Sequence, residues 1–467
     1  MKYFVLLLLT TLLSVGIAIA QTPTSNSLKL PPYKKVKLSN GMTVLLMEQH
    51  EVPFVSFNMR IRAGSTSDPL GKEGLAAMTA DLMRKGTKTR TATEIANQLE
   101  GAGIGLSFNA GQDYTSAQSE LLKKDLDLML DVFFDVLTNS SFPQAEVEKL
   151  QKLSISSIKE AKDDAQSAIR RYYNAYLFGE HPYSRPVSGD ERSLASITRD
   201  DIVKFYNSYY GPSNIILSVV GDFSSTEMEK TLTSRFGQWE KKTTAPTKLV
   251  EPVTFKGKKL LLIDKPDTTQ TFFMIGNVGI SQNNPDRVGV EVVNTLFGVR
   301  FTSLLNSELR IKTGLTYGAR SSFTENQVPG PFAISTYTQN ATTEKAIDLA
   351  LEILNRLHEK GITEEQLKST KAYIKGQFAP DTLESSFQLA AVLTNIEFSG
   401  LDEREINEFF TKIDAFTLTD AQRIIKQYFP KENLVFVLIG KSEEVAKVVK
   451  KYASQLDNKQ ISQDGFK

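Results

Sequence analysis

The sequence predicts an α+β protein of two homologous domains, each a mostly antiparallel sheet with helices packed on it, the two related by internal duplication. Three observations predict this. The 467 residues exceed what one ordinary core holds, so two or more domains are expected. Apolar patterns of period two mix with long helical patterns without strict alternation, as when helices lie on an antiparallel sheet. The same order of segments is also written twice along the chain.

The repeat can be followed piece by piece. Val44, Leu45, Leu46 and Met47 precede an alternating strand, Val55, Phe57, Met59, Ile61, that runs into Gly64. Leu261, Leu262 and Ile263 precede the apolar run 272–278, which ends at Gly279. Gly64 and Gly279 are 215 residues apart. The same shift carries Gly74, which opens an expected helix over 74–83, onto Gly289, which opens another over 289–298. Near the end of each half, Pro212, Ser213 and Asn214 lead into the strand 215–220 and Gly221, and residues 430–433 lead into the strand 434–439 and Gly440, an offset of 219 between the glycines. Thr91 with Glu94, and Thr198 with Asp201, read as helix starts, because a hydroxyl and a carboxylate three apart can each cap a backbone amide. Residues 144–179 read as helix with few breaks.

Boundaries follow from composition. Residues 1–20 read as a signal peptide: Lys2, an apolar stretch over 4–19, and Ala18, Ile19, Ala20 before Gln21 in the small-x-small pattern of a cleavage site. That stretch, broken by Thr, Ser and Gly, is short of the roughly 20 residues of a membrane span, and it lacks the arginines of a mitochondrial address. The expected location is periplasmic or secreted, with no stable membrane span after cleavage. Residues 21–240 form the first domain and 257–467 the second. The linker, 241–256, is the stretch where Lys, Thr and Pro replace periodic apolar residues.

Composition excludes several functions. With 55 basic and 54 acidic residues the net charge is +1, so no long-range field draws nucleic acid or anionic lipid. The absence of cysteine removes disulfides, thiol nucleophiles and thiolate metal sites. No G-x-S-x-G is present, and Gly298, Val299 and Arg300 do not make a phosphate loop. His50, His181 and His358 are scattered, none with a His partner at ligand spacing, and read as surface or loop residues. Taken as residues alone, Arg310 on a helix face and Tyr317 in a strand read as structural.

Several blocks carry a family resemblance. Residues Gly64, Ser65 and Thr66, the run 74–83, and Lys85, Gly86 and Thr87 resemble the segment bearing H-x-x-E-H in the inverted-motif zinc peptidases of the insulinase and pitrilysin type. Ile158 with Lys159, Asp163 with Asp164, and the run 181–189 are similar to later blocks of that family, in its two-domain, processing-peptidase-like subgroup. In the motif, two imidazoles four apart hold zinc and the carboxylate between them is the general base. The resemblance puts Ala77 at the first histidine, Ala80 at the glutamate, Asp81 at the second histidine, and the third ligand near Ser156 and Ser157. It therefore implies a degenerate member with no metal or other cofactor in this chain and no peptide hydrolysis by the chain alone.

The run 301–317 resembles the family segment in which a helix ends at an arginine, a glycine turn follows and a strand begins at a tyrosine. The resemblance implies that Arg310 and Tyr317 bind main-chain carbonyls of a peptide substrate. Gly314 suits the turn because it accepts the left-handed backbone that ends helices. The function so implied is the zinc-free subunit of an exported heterodimeric zinc peptidase, contributing Arg310, Tyr317 and a chamber wall to a zinc-bearing partner of the same family. The alternatives are a non-catalytic scaffold and a peptide-binding protein of the same descent. A co-purifying relative with intact H-x-x-E-H separates the first from the other two.

Overall fold

The computed structural model describes residues 28–246 and 248–467; the expected signal peptide lies outside them. The first half forms a six-stranded sheet from β1 (Lys34–Lys37), β2 (Thr43–Glu48), β3 (Phe54–Ile61), β4 (Gly105–Ala110), β5 (Thr115–Leu122) and β6 (Ile215–Gly221), in the order β1-β2-β6-β3-β5-β4. The second forms another from β7 (Lys258–Asp264), β8 (Gln270–Val278), β9 (Ala319–Glu325), β10 (Pro329–Gln339), β11 (Leu434–Gly440) and β12 (Gln455–Gln460), in the order β12-β7-β11-β8-β10-β9. The fold is α+β with two such sheets, and each is mixed. β2 runs parallel to β6, and β7 runs parallel to both β11 and β12, while the remaining neighbours are antiparallel.

All six strand runs of the repeat lie in β2, β3, β6, β7, β8 and β11. Every residue of β6 and β11 is buried, as a central strand requires; β11 is apolar throughout, and β6 is apolar but for Ser218, whose hydroxyl donates to the Ala390 carbonyl at 2.6 Å. Five strands of one sheet match five of the other in spatial order, and only the outer edge differs. There, β1 precedes β2 and pairs with it antiparallel, whereas β12 returns from beyond β11 and pairs with β7 in parallel.

The helices include α1 (Leu75–Leu82), α2 (Gln144–Asp163), α3 (Ala165–Phe178), α4 (Arg287–Asn294), α5 (Glu364–Thr382) and α6 (Ser386–Phe398). The nearly continuous helix expected over 144–179 is in fact two helices. Asp164 takes an extended backbone (φ −99°, ψ 104°), and its carboxylate accepts the Gln166 amide at 3.0 Å, capping α3 where α2 stops. The helix expected to open at Gly289 opens at Arg287 instead and passes into a π-helical turn over Thr295–Val299. Both expected helix starts are full capping boxes, Thr91 with Glu94 and Thr198 with Asp201. The described residues of 241–256 form neither helix nor strand.

The two halves exchange helices. α3, from the first half, packs on β8 and β11 of the second sheet, while α6, from the second, packs on β3 and β6 of the first. A sheet of apolar strands has two faces to cover, and each half covers one face of its neighbour's sheet. Ala168, Tyr172 and Tyr173 share a core with Met274, Ala333, Val435 and Val437, and the Tyr173 hydroxyl donates to the Phe332 carbonyl at 2.8 Å. On the other side, Leu389, Ala390 and Leu393 pack on Leu45, Met47, Ile216 and Val220, and the Thr394 hydroxyl donates to Asn58 Oδ1 at 2.6 Å.

A third tie comes from residues 463–466, which return to the first half. Phe466 is buried edge-on against Tyr172, with ring centres 5.0 Å apart. Beside it, Lys162 and Glu191 form an ion pair of 2.5 Å, each side chain only 7% exposed. Lys162 also donates to the Gln463 carbonyl at 2.8 Å, and the Gly465 amide donates to Glu191 at 3.0 Å.

Candidate functional site

The site is built around α1. Asp68 caps this helix from outside it, accepting the Gly74 amide at 2.9 Å and the Ala76 amide at 2.8 Å. Burial pushes the Asp68 carboxyl up to about 8, against the lowering pull of those two amides. Gly74 sits at φ +96°, a left-handed conformation that suits glycine at this turn into the helix. Leu75, Ala76, Met78, Thr79, Ala80 and Leu82 are buried, so α1 is a core helix on most of its circumference. The remaining stripe carries Ala77 and Asp81, four apart and therefore on one face.

That face lines a cleft of about 480 Å³. Asn109 and Ala110 of β4, Gln112, the loop 184–188, and one stripe of α3 form its other walls. Ser167, Arg170, Arg171 and Asn174 are spaced i, i+3, i+4, i+7 and make that stripe. Ala77 and Asp81 are thus brought together, whereas Ala80 is packed in the core, 2% exposed, and Ser156 and Ser157 are exposed on α2 without lining the cleft. Burial pushes the Asp81 carboxyl up, opposed by Arg84 and Lys85. The donor set does not fit a zinc ion: Ala77 and Ala80 have no lone pair to offer, and Asp81 alone supplies one carboxylate.

Arg310 and Tyr317 lie elsewhere and do not line this cleft. Arg310 belongs to a π-helical turn, Ser307–Lys312, which ends at Gly314 with φ +63°. The Gly314 amide donates to the Arg310 carbonyl and the Leu315 amide to the Leu309 carbonyl, so the glycine closes the helix as expected. Two details differ from the sequence reading. The helix continues two residues past Arg310, and the strand begins at Ala319, leaving Tyr317 in the connecting turn, 79% exposed. Neither side chain forms a hydrogen bond or ion pair among the described residues; the guanidinium rests 4.9 Å from the centre of the exposed Phe301 ring.

Comparison with known proteins places this architecture. A family model described as "Insulinase (Peptidase family M16)" matches residues 43–191, and one described as "Peptidase M16 inactive domain" matches residues 196–374. The chain belongs to the insulinase (M16) peptidase family. An uncharacterized zinc protease of Rickettsia bellii is 27% identical over 390 residues, which is 81% of this chain and 91% of that protein. Among solved structures, a peptidase M16 inactive domain from Pseudomonas fluorescens superposes with a TM-score of 0.82 at 24% identity, over 88% of this chain and 98% of that one. A chain of complex III2 from Candida albicans gives 0.72 at 17% identity, over 88% and 96%. Both likenesses extend the two-domain M16 fold over most of the chain.

Against that family background, the three histidines hold structural posts. His50 bridges Asp222 at 2.7 Å and Glu48 at 3.1 Å, which raise its basicity. His181 contacts the Val250 carbonyl at 2.9 Å and accepts the Tyr183 amide, and His358 contacts the Phe429 carbonyl at 2.6 Å. The sequence reading missed the α3 wall of the cleft. The signal was present as a polar stripe, Ser167, Arg170, Arg171 and Asn174, opposite the apolar Ala168, Tyr172 and Ala175. Nothing in sequence alone says that this stripe faces α1.

Proposed function

We propose that the chain is the zinc-free subunit of an exported heterodimeric M16 peptidase, giving Arg310, Tyr317 and a chamber wall to a zinc-bearing partner with intact H-x-x-E-H. The observation that carries this reading is the separation of the two sets of residues. Ala77 and Asp81 line one cleft, while Arg310 and Tyr317 stand outside it, their donor groups unbonded among the described residues. An arginine and a tyrosine with no hydrogen-bond or ion-pair partner among the described residues are available to a ligand. Arg310 would donate to substrate main-chain carbonyls without reading side chains, and the Tyr317 phenol would donate to the oxygen that gains charge as the peptide is attacked. Zinc and its base chemistry would come from the partner, and the expected export signal fits a periplasmic or secreted pair.

The test is to purify the chain with its co-purifying proteins and assay peptide cleavage alone and together. Activity is expected only in the mixture. Arg310→Ala or Tyr317→Phe should lower turnover by about 10²–10³-fold, the loss typical of one oxyanion donor, while the complex still forms. If both variants turn over normally, the pair is structural. A scaffold reading draws on the likeness to the complex III2 chain, and a stable assembly whose other members all lack the zinc motif would favour it.

A further inference from the structure

We propose that the cleft beside α1 is a binding site for the C-terminal carboxylate of a peptide. Three arginines, Arg170, Arg171 and Arg185, line it, and no carboxylate among the described residues lies within ion-pair distance of any of them. Arg171 is set by its place beside the buried Phe466 ring, 5.8 Å from its centre, and Arg185 by its bond to the Asp68 carbonyl at 2.9 Å. Asp81 is the one acidic side chain in the lining, so the cleft keeps an excess of two positive charges. Unpaired arginines in a concave, partly desolvated wall are suited to a carboxylate, which they bind through parallel N–H donors.

Two further atoms define what carries that carboxylate. Ser184 lines the cleft at 1% exposure, and neither its hydroxyl nor the buried Oδ1 of Asn174 has a hydrogen-bond partner among the described residues. Buried polar atoms of this kind are ordinarily satisfied, and a side-chain rotation at the cleft wall would present both to a bound peptide end. An acceptor needs a donor, and a bare acid or phosphate at neutral pH offers few. A peptide end supplies both kinds of group, the carboxylate for the arginines and an amide N–H for Asn174. Size agrees: about 480 Å³ is far more than a small anion fills. The absence of a side chain beyond Cβ at Ala77 keeps that room open. This assignment needs no partner subunit and stands whether or not Arg310 and Tyr317 act on a substrate.

Calorimetric titration of the purified full chain tests it with three probes: tetra-alanine with a free C-terminus, the same peptide with a C-terminal amide, and inorganic phosphate. The free acid is expected to bind at least roughly tenfold more tightly than the amide or phosphate. Arg170→Glu, at an exposed helix position where circular dichroism is expected to stay that of the parent chain, should bring the acid down to the amide's affinity. Equal binding of acid and amide, no binding of either at about millimolar concentration, or an acid preference that survives Arg170→Glu overturns the assignment. Phosphate binding as tightly as the acid also overturns it, in favour of a small-anion site.

Discussion

Replacing Lys162 by Met isolates the buried charge that ties residues 463–466 to the first half. Both partners are 7% exposed and 2.5 Å apart, and Lys162 is the one cation paired with Glu191 among the described residues. The substitution keeps the aliphatic stem near the Phe466 ring but leaves a buried carboxylate with no cation paired to it among the described residues, held by the Gly465 amide at 3.0 Å and by its own backbone amide. Removing one partner of a buried pair costs about 3–5 kcal/mol, most of it for the charge left behind. Adding Glu191→Gln removes that charge, so the double variant should recover all but about 1–2 kcal/mol. The pH dependence has a definite sign. Burial pushes the Glu191 carboxyl up, but the Gly465 amide and Lys162 outweigh it and hold it below the ordinary glutamate value. The pair's stabilisation is therefore full above the unfolded value of about 4.5 and is lost as pH falls through the folded one. Urea denaturation read by circular dichroism should show the Lys162→Met penalty near pH 7, and a smaller one near pH 4. Equal costs for the single and double variants near pH 7 would refute the reasoning.

Two other substitutions test the architecture. Gly314→Ala puts a Cβ into open space at φ +63°, so its cost is the left-handed backbone alone, about 1 kcal/mol, and an unchanged thermal midpoint would contradict the helix stop. Thr394→Val strips the donor from Asn58 Oδ1 at the buried junction of α6 and β3, with an expected loss of about 1–3 kcal/mol in denaturant titration; a neutral result would mean the junction is not a stabilising contact.

The central strands were legible because their burial is written in their residues. β3 alternates, β11 is a continuous apolar run between turn signals, and β6 is one interrupted only by Ser218. The outer strands were not. β4 reads GLSFNA and β12 reads QLDNKQ, polar enough to pass for loops, and both exist because a neighbour offers unpaired backbone groups. The break at Asp164 was hidden because the sequence on both sides is strongly helical, and only the carboxylate folding back on Gln166 marks the new start. The exchange of α3 and α6 was also out of reach: an amphipathic pattern says that a face is buried, never against which half. The same holds for the site. Ala77 and Asp81 were legible as one helix face, but the arginines that confront them arrive by way of a helix seated on the other half's sheet.

Zinc content bears most directly on the claim that this chain supplies the substrate-binding half of a divided active site. The purified full chain, equilibrated with excess zinc and desalted, would be measured by atomic emission and assayed on unfolded peptide in parallel. The account predicts zinc far below one ion per chain and no cleavage, because Ala77, Ala80 and Asp81 offer a single carboxylate. About one tightly held zinc per chain, together with peptide cleavage by the chain alone, would contradict it.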